Sequence, residues 1–174
     1  MATYAPSAPL IGANLNISLP TASLPTNSAG TAIPPFALGT RCLGNADTEW
    51  VFVKASGAIS AYDCVTIDSS FTASRATVAN AATGLQVGFA QNAFADTDYG
   101  WVALRGNGIS VNVSGTASVG VNLYLSTTSG KLCTTTSSGT IFGVTTLTAN
   151  AASSVAASVA IVNWPRFPVA STFG

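Results

Sequence analysis

Gly100-Trp101-Val102-Ala103-Leu104-Arg105-Gly106-Asn107-Gly108-Ile109-Ser110-Val111-Asn112-Val113-Ser114 sets the character of the chain. In an extended strand its first six residues put Trp101, Ala103 and Arg105 on one side and Val102 and Leu104 on the other. The last six alternate Ile109, Val111 and Val113 with Ser110, Asn112 and Ser114, the period-two pattern of a strand with one buried and one polar face. Gly106-Asn107-Gly108 between them is a turn signal, and two alternating runs joined by such a triplet predict a β-hairpin. In this register Val102 and Leu104 belong to the core, and Trp101 and Arg105 lie on an outer or intersubunit face.

The same pattern extends in both directions. Glu49-Trp50-Val51-Phe52-Val53-Lys54 is a dense aromatic and β-branched run. Cys64 to Asp68, Val121 to Leu125, Thr140 to Val144 and Val155 to Val162 read as further strands. Ser56-Gly57, Ser129-Gly130 and Ser138-Gly139 punctuate them. Residues 41–163 are therefore expected to form an all-β domain, a small β-barrel or β-sandwich. Ala73 to Ala95 is alanine-rich and reads as a short helix or a long loop. A weak internal echo links Gly57-Ala58-Ile59-Ser60 with Gly115-Thr116-Ala117-Ser118, each leading to a strand at the same spacing. Two instances indicate similar turn-and-strand units within one domain, not a solenoid.

The flanks differ from this domain. Residues 1–40 hold six of the eight prolines and no charged side chain. Proline forbids helix and removes backbone donors, while Leu10, Leu15, Ile17 and Leu19 recur among polar residues. A segment this apolar, yet unable to build a core, reads as an extended arm that becomes ordered on another surface. Residues 164–174 form a short extended tail, kept open by Pro165 and Pro168. Its Trp164, Arg166 and Phe167 either fold back on the core or touch a neighbouring subunit.

Composition narrows the function. Of 174 residues only 7% are charged, six basic against six acidic. That balance leaves no electrostatic footprint for nucleic acid or an anionic membrane. Freely diffusing proteins carry more charge, so low charge predicts a surface covered by neighbouring protein. The first residues lack the basic stretch and unbroken apolar core of a signal peptide. With no histidine in the chain, a Ser-His-Asp triad and the usual zinc sites are excluded. Cys42, Cys64 and Cys133 form no C-x-x-C pair and read as small apolar side chains that stay reduced. No G-x-S-x-G elbow and no P-loop occurs. Asp63 and Asp68 read as solvated aspartates at a turn and a strand end, not as the paired carboxylates of a glycosidase. Asp96-Thr97-Asp98 resembles the start of a calcium loop but lacks the third acidic ligand and the closing glutamate. No catalytic residue, cofactor or metal is expected.

Four segments carry a resemblance: Phe52 to Asp63 (Phe-Val-Lys-Ala-Ser-Gly-Ala-Ile-Ser-Ala-Tyr-Asp), Val87-Gly88-Phe89-Ala90-Gln91, Tyr99 to Gly106, and Ser129-Gly130-Lys131-Leu132. Across roughly residues 50–147 the chain resembles the small capsid decoration, or cement, proteins of tailed phages. The resemblance implies a barrel-like domain, homotrimers on the local threefold axes of an icosahedral shell, and reinforcement of that shell. The implied partners are the major capsid protein and further copies of the chain. The implied place is the outer surface of a virion, after synthesis in the host cytoplasm. Leu10, Leu15, Ile17, Leu19, Trp101, Arg105, Trp164, Arg166 and Phe167 are the expected intersubunit or capsid contacts. A trimeric fibre or receptor-binding module is the alternative, and a glycan-active enzyme has less support.

Overall fold

A computed structural model describes residues 13–81, 85–135 and 139–168. Its strands are β1 (Ser18–Leu19), β2 (Arg41–Gly44), β3 (Thr48–Ala55), β4 (Cys64–Ile67), β5 (Thr72–Arg75), β6 (Gln86–Ala90), β7 (Tyr99–Val113), β8 (Tyr124–Leu125), β9 (Leu132–Cys133), β10 (Phe142–Thr146) and β11 (Ala156–Arg166). A single-turn helix, α1 (Val78–Ala81), precedes β6, so the alanine-rich stretch holds strands as well as a short helix.

Five strands close a barrel in the order β3-β5-β4-β6-β7, with β7 returning to β3. All neighbours are antiparallel except β3 and β5, which pair through Lys54↔Thr72 and Ala55↔Ala73. Val51, Val53, Val65, Ile67, Val102 and Leu104 fill the interior with Ile59 and Phe94. Trp50, Phe52, Phe89, Trp101 and Ala103 point out of the barrel, yet they too are buried. Both faces of these strands are covered, which accounts for the unbroken apolar run Trp50-Val51-Phe52-Val53.

Two further layers cover the outside. One is the proline-rich segment. Leu15 is fully buried, and Leu19, Leu24, Phe36 and Leu38 pack against the outer cluster. β1 pairs with β7 through Leu19↔Tyr99, and Asn92 Nδ2 donates to the Leu15 carbonyl at 3.1 Å. The surface this extended segment uses over residues 13–40 is the chain's own barrel. The other layer comes from the C-terminal half, where Ile109, Leu123, Leu125, Leu132, Val144 and Val162 continue the same cluster.

The expected hairpin at Gly106-Asn107-Gly108 is replaced by one continuous strand, β7. Its first half pairs with β3 and β6, while its second half pairs with β11. Gly106 and Gly108 have φ of 151° and 92°, and the register against β11 slips where Ala160 pairs with Ile109 but Ile161 with Asn107. The glycines serve a bulge that carries the strand from barrel to outer sheet, not a reversal. A side chain at Gly106 would also meet Thr48, 2.5 Å from the added carbon.

Trp101 is corrected as well. It lies on the outer side of the barrel wall, as alternation requires, but that side is covered by the chain's own N-terminal segment, with the Phe36 ring centroid 5.3 Å away, and not left free for another subunit. Val102 and Leu104 are core, as the alternation predicted. The internal echo corresponds to two similar corners: Ile59 bridges Phe94, and Ala117 bridges Asn150. The last strand continues to Arg166, and Phe167 is buried in the outer cluster, so this part of the tail folds back.

Candidate functional site

The most distinctive exposed feature is built around Trp164. Phe142 pairs with Arg166 and Val144 with Val162, so residues 163–165 of β11 face Gly143 alone. This bulge puts Trp164 at φ 46°, a left-handed conformation that a bulky side chain adopts only when its surroundings impose it. Gly143 makes the bulge possible, because a Cβ there would lie 2.3 Å from the Asn163 carbonyl oxygen. Bulges of this kind re-aim a side chain, and this one leaves Trp164 44% exposed.

Charge gathers around the indole. The Arg41 and Arg105 guanidinium groups lie over the Trp164 ring, 5.5 and 6.0 Å from its centroid. Glu49 holds both arginines, accepting from Arg41 Nη1 at 2.7 Å and from Arg105 Nε at 3.4 Å. Asp47 accepts from Arg105 Nη1 at 2.9 Å. Arg166 lies over the exposed Phe142 ring at 6.0 Å. Leu43, on the same exposed face of β2 as Arg41, and Ile161 add apolar surface. Three of the six basic residues therefore sit among exposed aromatic and aliphatic groups. Arginine and tryptophan held in place by their neighbours is the composition of protein–protein anchor sites.

A second constellation is internal. Asp63, expected as a solvated turn aspartate, is fully buried. Its Oδ2 accepts from Arg75 Nε at 2.8 Å and from the Ser60 N–H at 3.1 Å. Its Oδ1 accepts from Lys131 Nζ and from Asn112 Nδ2, the latter at 2.9 Å. Asn112 Nδ2 also donates to the Ala61 carbonyl at 2.7 Å. Gly130 fits here because a side chain would come 2.8 Å from the Asp63 carboxylate. Asp68 is separate and caps its own turn, accepting from the Ser70 and Thr72 N–H groups. The two aspartates are thus engaged by separate sets of partners. Asp96 accepts from the Gly57 N–H and Asp98 from the Ala95 N–H. No group of three or more metal-ligating side chains occurs among the described residues.

The three thiols are buried and free. Burial, with the Asp63 carboxylate beside it, pushes the Cys64 thiol far up from its ordinary range. Burial raises Cys42 as well. An open groove of about 390 Å³ between the Ala117 and Asn150 corners is lined by Thr116, Ser118, Val121 and Thr134 and offers no ionisable group.

Of the expected contact residues, the structure brings together Arg105, Trp164 and Arg166 on one face. Ile17 is exposed elsewhere, Leu19 is half-buried on β7, and Leu15, Trp101 and Phe167 are internal. Leu10 lies outside the described residues. Arg41, Leu43, Asp47, Glu49 and Phe142 were not anticipated. The available signal was Gly143 directly after Phe142, a glycine inside a strand pattern that marks a bulge. No protein-family model matches this chain, nor does any curated protein.

Proposed function

We propose that this chain is a structural virion protein that attaches to the outer surface of a tailed-phage capsid and stabilises it. The observation that carries the reading is where the four resembling segments lie. Phe52 to Asp63 takes in the second half of β3 and the corner after it, Val87 to Gln91 takes in all of β6 but its first residue, and Tyr99 to Gly106 is the barrel half of β7. Phe52 pairs with Trp101 and Phe89 with Ala103. Ser129 to Leu132 closes on the same unit through Lys131 and Asp63. Segments scattered through the sequence thus supply three of the five barrel strands, β3, β6 and β7, together with the lysine that meets the buried Asp63.

The physical character fits a protein that works by contact. Its ion pairs are committed to the buried Asp63 cluster or to the Trp164 face. A cement protein adds contact area across shell subunits and so raises the cost of separating them. The Trp164 face supplies an anchor for such a contact. Joined in a homotrimer, three modest footprints become one strong attachment.

Purified protein added to shells that lack it tests the reading. It should co-sediment up to a fixed saturation and raise the temperature at which the shells release DNA. Shells that neither bind it nor gain heat resistance overturn the proposal.

A further inference from the structure

We propose that Lys131 and Asn112 condense in the folded chain to form an intramolecular amide, with Asp63 as the catalytic residue that carries the proton. Three elements far apart in sequence deliver these groups: the corner before β4, the second half of β7, and the turn before β9. Asp63 is fully buried, and Asn112 and Lys131 are each 8% exposed. Lys131 Nζ and Asn112 Nδ2 donate to the same oxygen, Asp63 Oδ1. Two donors on one carboxylate oxygen lie on the order of 4 Å apart. The reaction requires the lysine chain to rotate so that Nζ meets the Asn112 amide carbon.

The hydrogen bonds divide the work. Both acceptors around Asn112 Nδ2, the Ala61 carbonyl and the Asp63 carboxylate, require the nitrogen of that amide to face them, so the amide orientation is determined. The would-be leaving group therefore points at the proton carrier. Arg75 and the Ser60 N–H occupy Oδ2 and hold the carboxylate still, which leaves Oδ1 to exchange protons.

The steps balance. Oδ1 takes a proton from the Lys131 ammonium, and the neutral amine attacks Asn112 Cγ. The new Nζ–Cγ bond forms and the Cγ–Nδ2 bond breaks as one Nζ hydrogen passes to Nδ2, so that nitrogen leaves as ammonia, which takes the first proton back from Asp63 and departs as ammonium. No oxidant or cofactor is needed. Fixed proximity replaces an external catalyst. Electrostatics favour the product. One carboxylate faces two cations before the reaction, and a buried charge without its own counterion is costly. Afterwards Lys131 is a neutral amide and Asp63 is matched by Arg75 alone. The bond would tie β7 to the turn before β9 whatever the chain attaches to.

Mass spectrometry of the full chain decides the matter. Trypsin should cut after Arg105 and Arg166 but not after a modified Lys131. The expected product is one piece spanning residues 106–166, lighter than its sequence by about 17 Da, the mass of ammonia. Fragmentation should place the link between Asn112 and Lys131. Lys131→Arg, which keeps the cation but cannot form the amide, should restore full mass. Full mass in the natural protein overturns the proposal. So does a deficit of about 18 Da, which marks loss of water in a Lys131–Asp63 bond. A deficit that survives Lys131→Arg also overturns it and points to ring closure at Asn107-Gly108.

Discussion

The Trp101 ring meets the Phe52 ring edge-on, with centroids 5.2 Å apart, on the outer side of the barrel wall whose inner side carries Val102 and Leu104. One strand therefore contributes to two cores. Leu104→Ala should cost about 2–5 kcal/mol and Trp101→Ala about 3–5 kcal/mol, because both leave cavities. Denaturant unfolding of the two variants measures this. A Trp101 variant with unchanged stability would mean that the outer layer is not packed as described.

The N-terminal segment should behave as part of the domain. Phe36 lies 5.5 Å from Phe52 and 5.3 Å from Trp101, ring to ring, and Leu15 is fully buried. Leu15→Ala should cost about 2–5 kcal/mol. Removing residues 1–40 should lower the melting temperature of what remains and uncover the Trp101 face. Hydrogen exchange on the intact chain should find the Phe52 N–H, which donates to the Thr40 carbonyl at 2.8 Å, among the slowest. A truncated chain melting at the same temperature as the whole would contradict this packing.

Much of the barrel was legible in the sequence, because Glu49 to Lys54 and Cys64 to Asp68 carry β-branched and aromatic residues at strand density. The placement of Trp101 was not. Alternation says that two sides of a strand differ, and it cannot say that a second layer covers the outer side. Gly106-Asn107-Gly108 misled for a related reason: glycine permits a bulge as readily as a reversal, and the choice is made by partners β3, β6 and β11. Asp63 looked like a turn residue because its side-chain partners stand 12, 49 and 68 positions away. Trp164 could be named from its aromatic character alone, whereas its setting depends on Gly143 and on arginines from β2 and β7.

Stability should fall in alkaline solution through Cys64. Burial holds its folded-state thiol above the unfolded value of about 9.0. Above that pH the unfolded thiol loses its proton while the folded one keeps it, so the native state binds more protons and stability declines as pH rises. Below it the contribution is fully present. The difference in unfolding free energy between the natural protein and Cys64→Ala should shrink above about pH 9, by at most roughly 1.4 kcal/mol per pH unit. A difference that stays constant from pH 7 to 10.5 would mean that the thiol is solvated.

The Trp164 face should matter for attachment and little for folding. Trp164 is 44% exposed, and Asp47, which pairs with Arg105, is largely solvated. Trp164→Ala and Arg105→Ala should each change stability by less than about 1 kcal/mol. Each should weaken binding to shells by a factor of roughly ten or more if the face is an anchor. Unchanged binding by both variants would move the footprint to another surface.

The copy number of the chain in purified virions, measured against the major capsid protein, tests the central claim most directly. A reinforcing protein must occupy a repeated site over the whole shell, so a fixed ratio of the same order as the capsid protein itself is expected, with the chain accessible to protease or antibody from outside. A few copies per particle, confined to the tail or a vertex, would contradict it and identify a fibre or receptor-binding component instead.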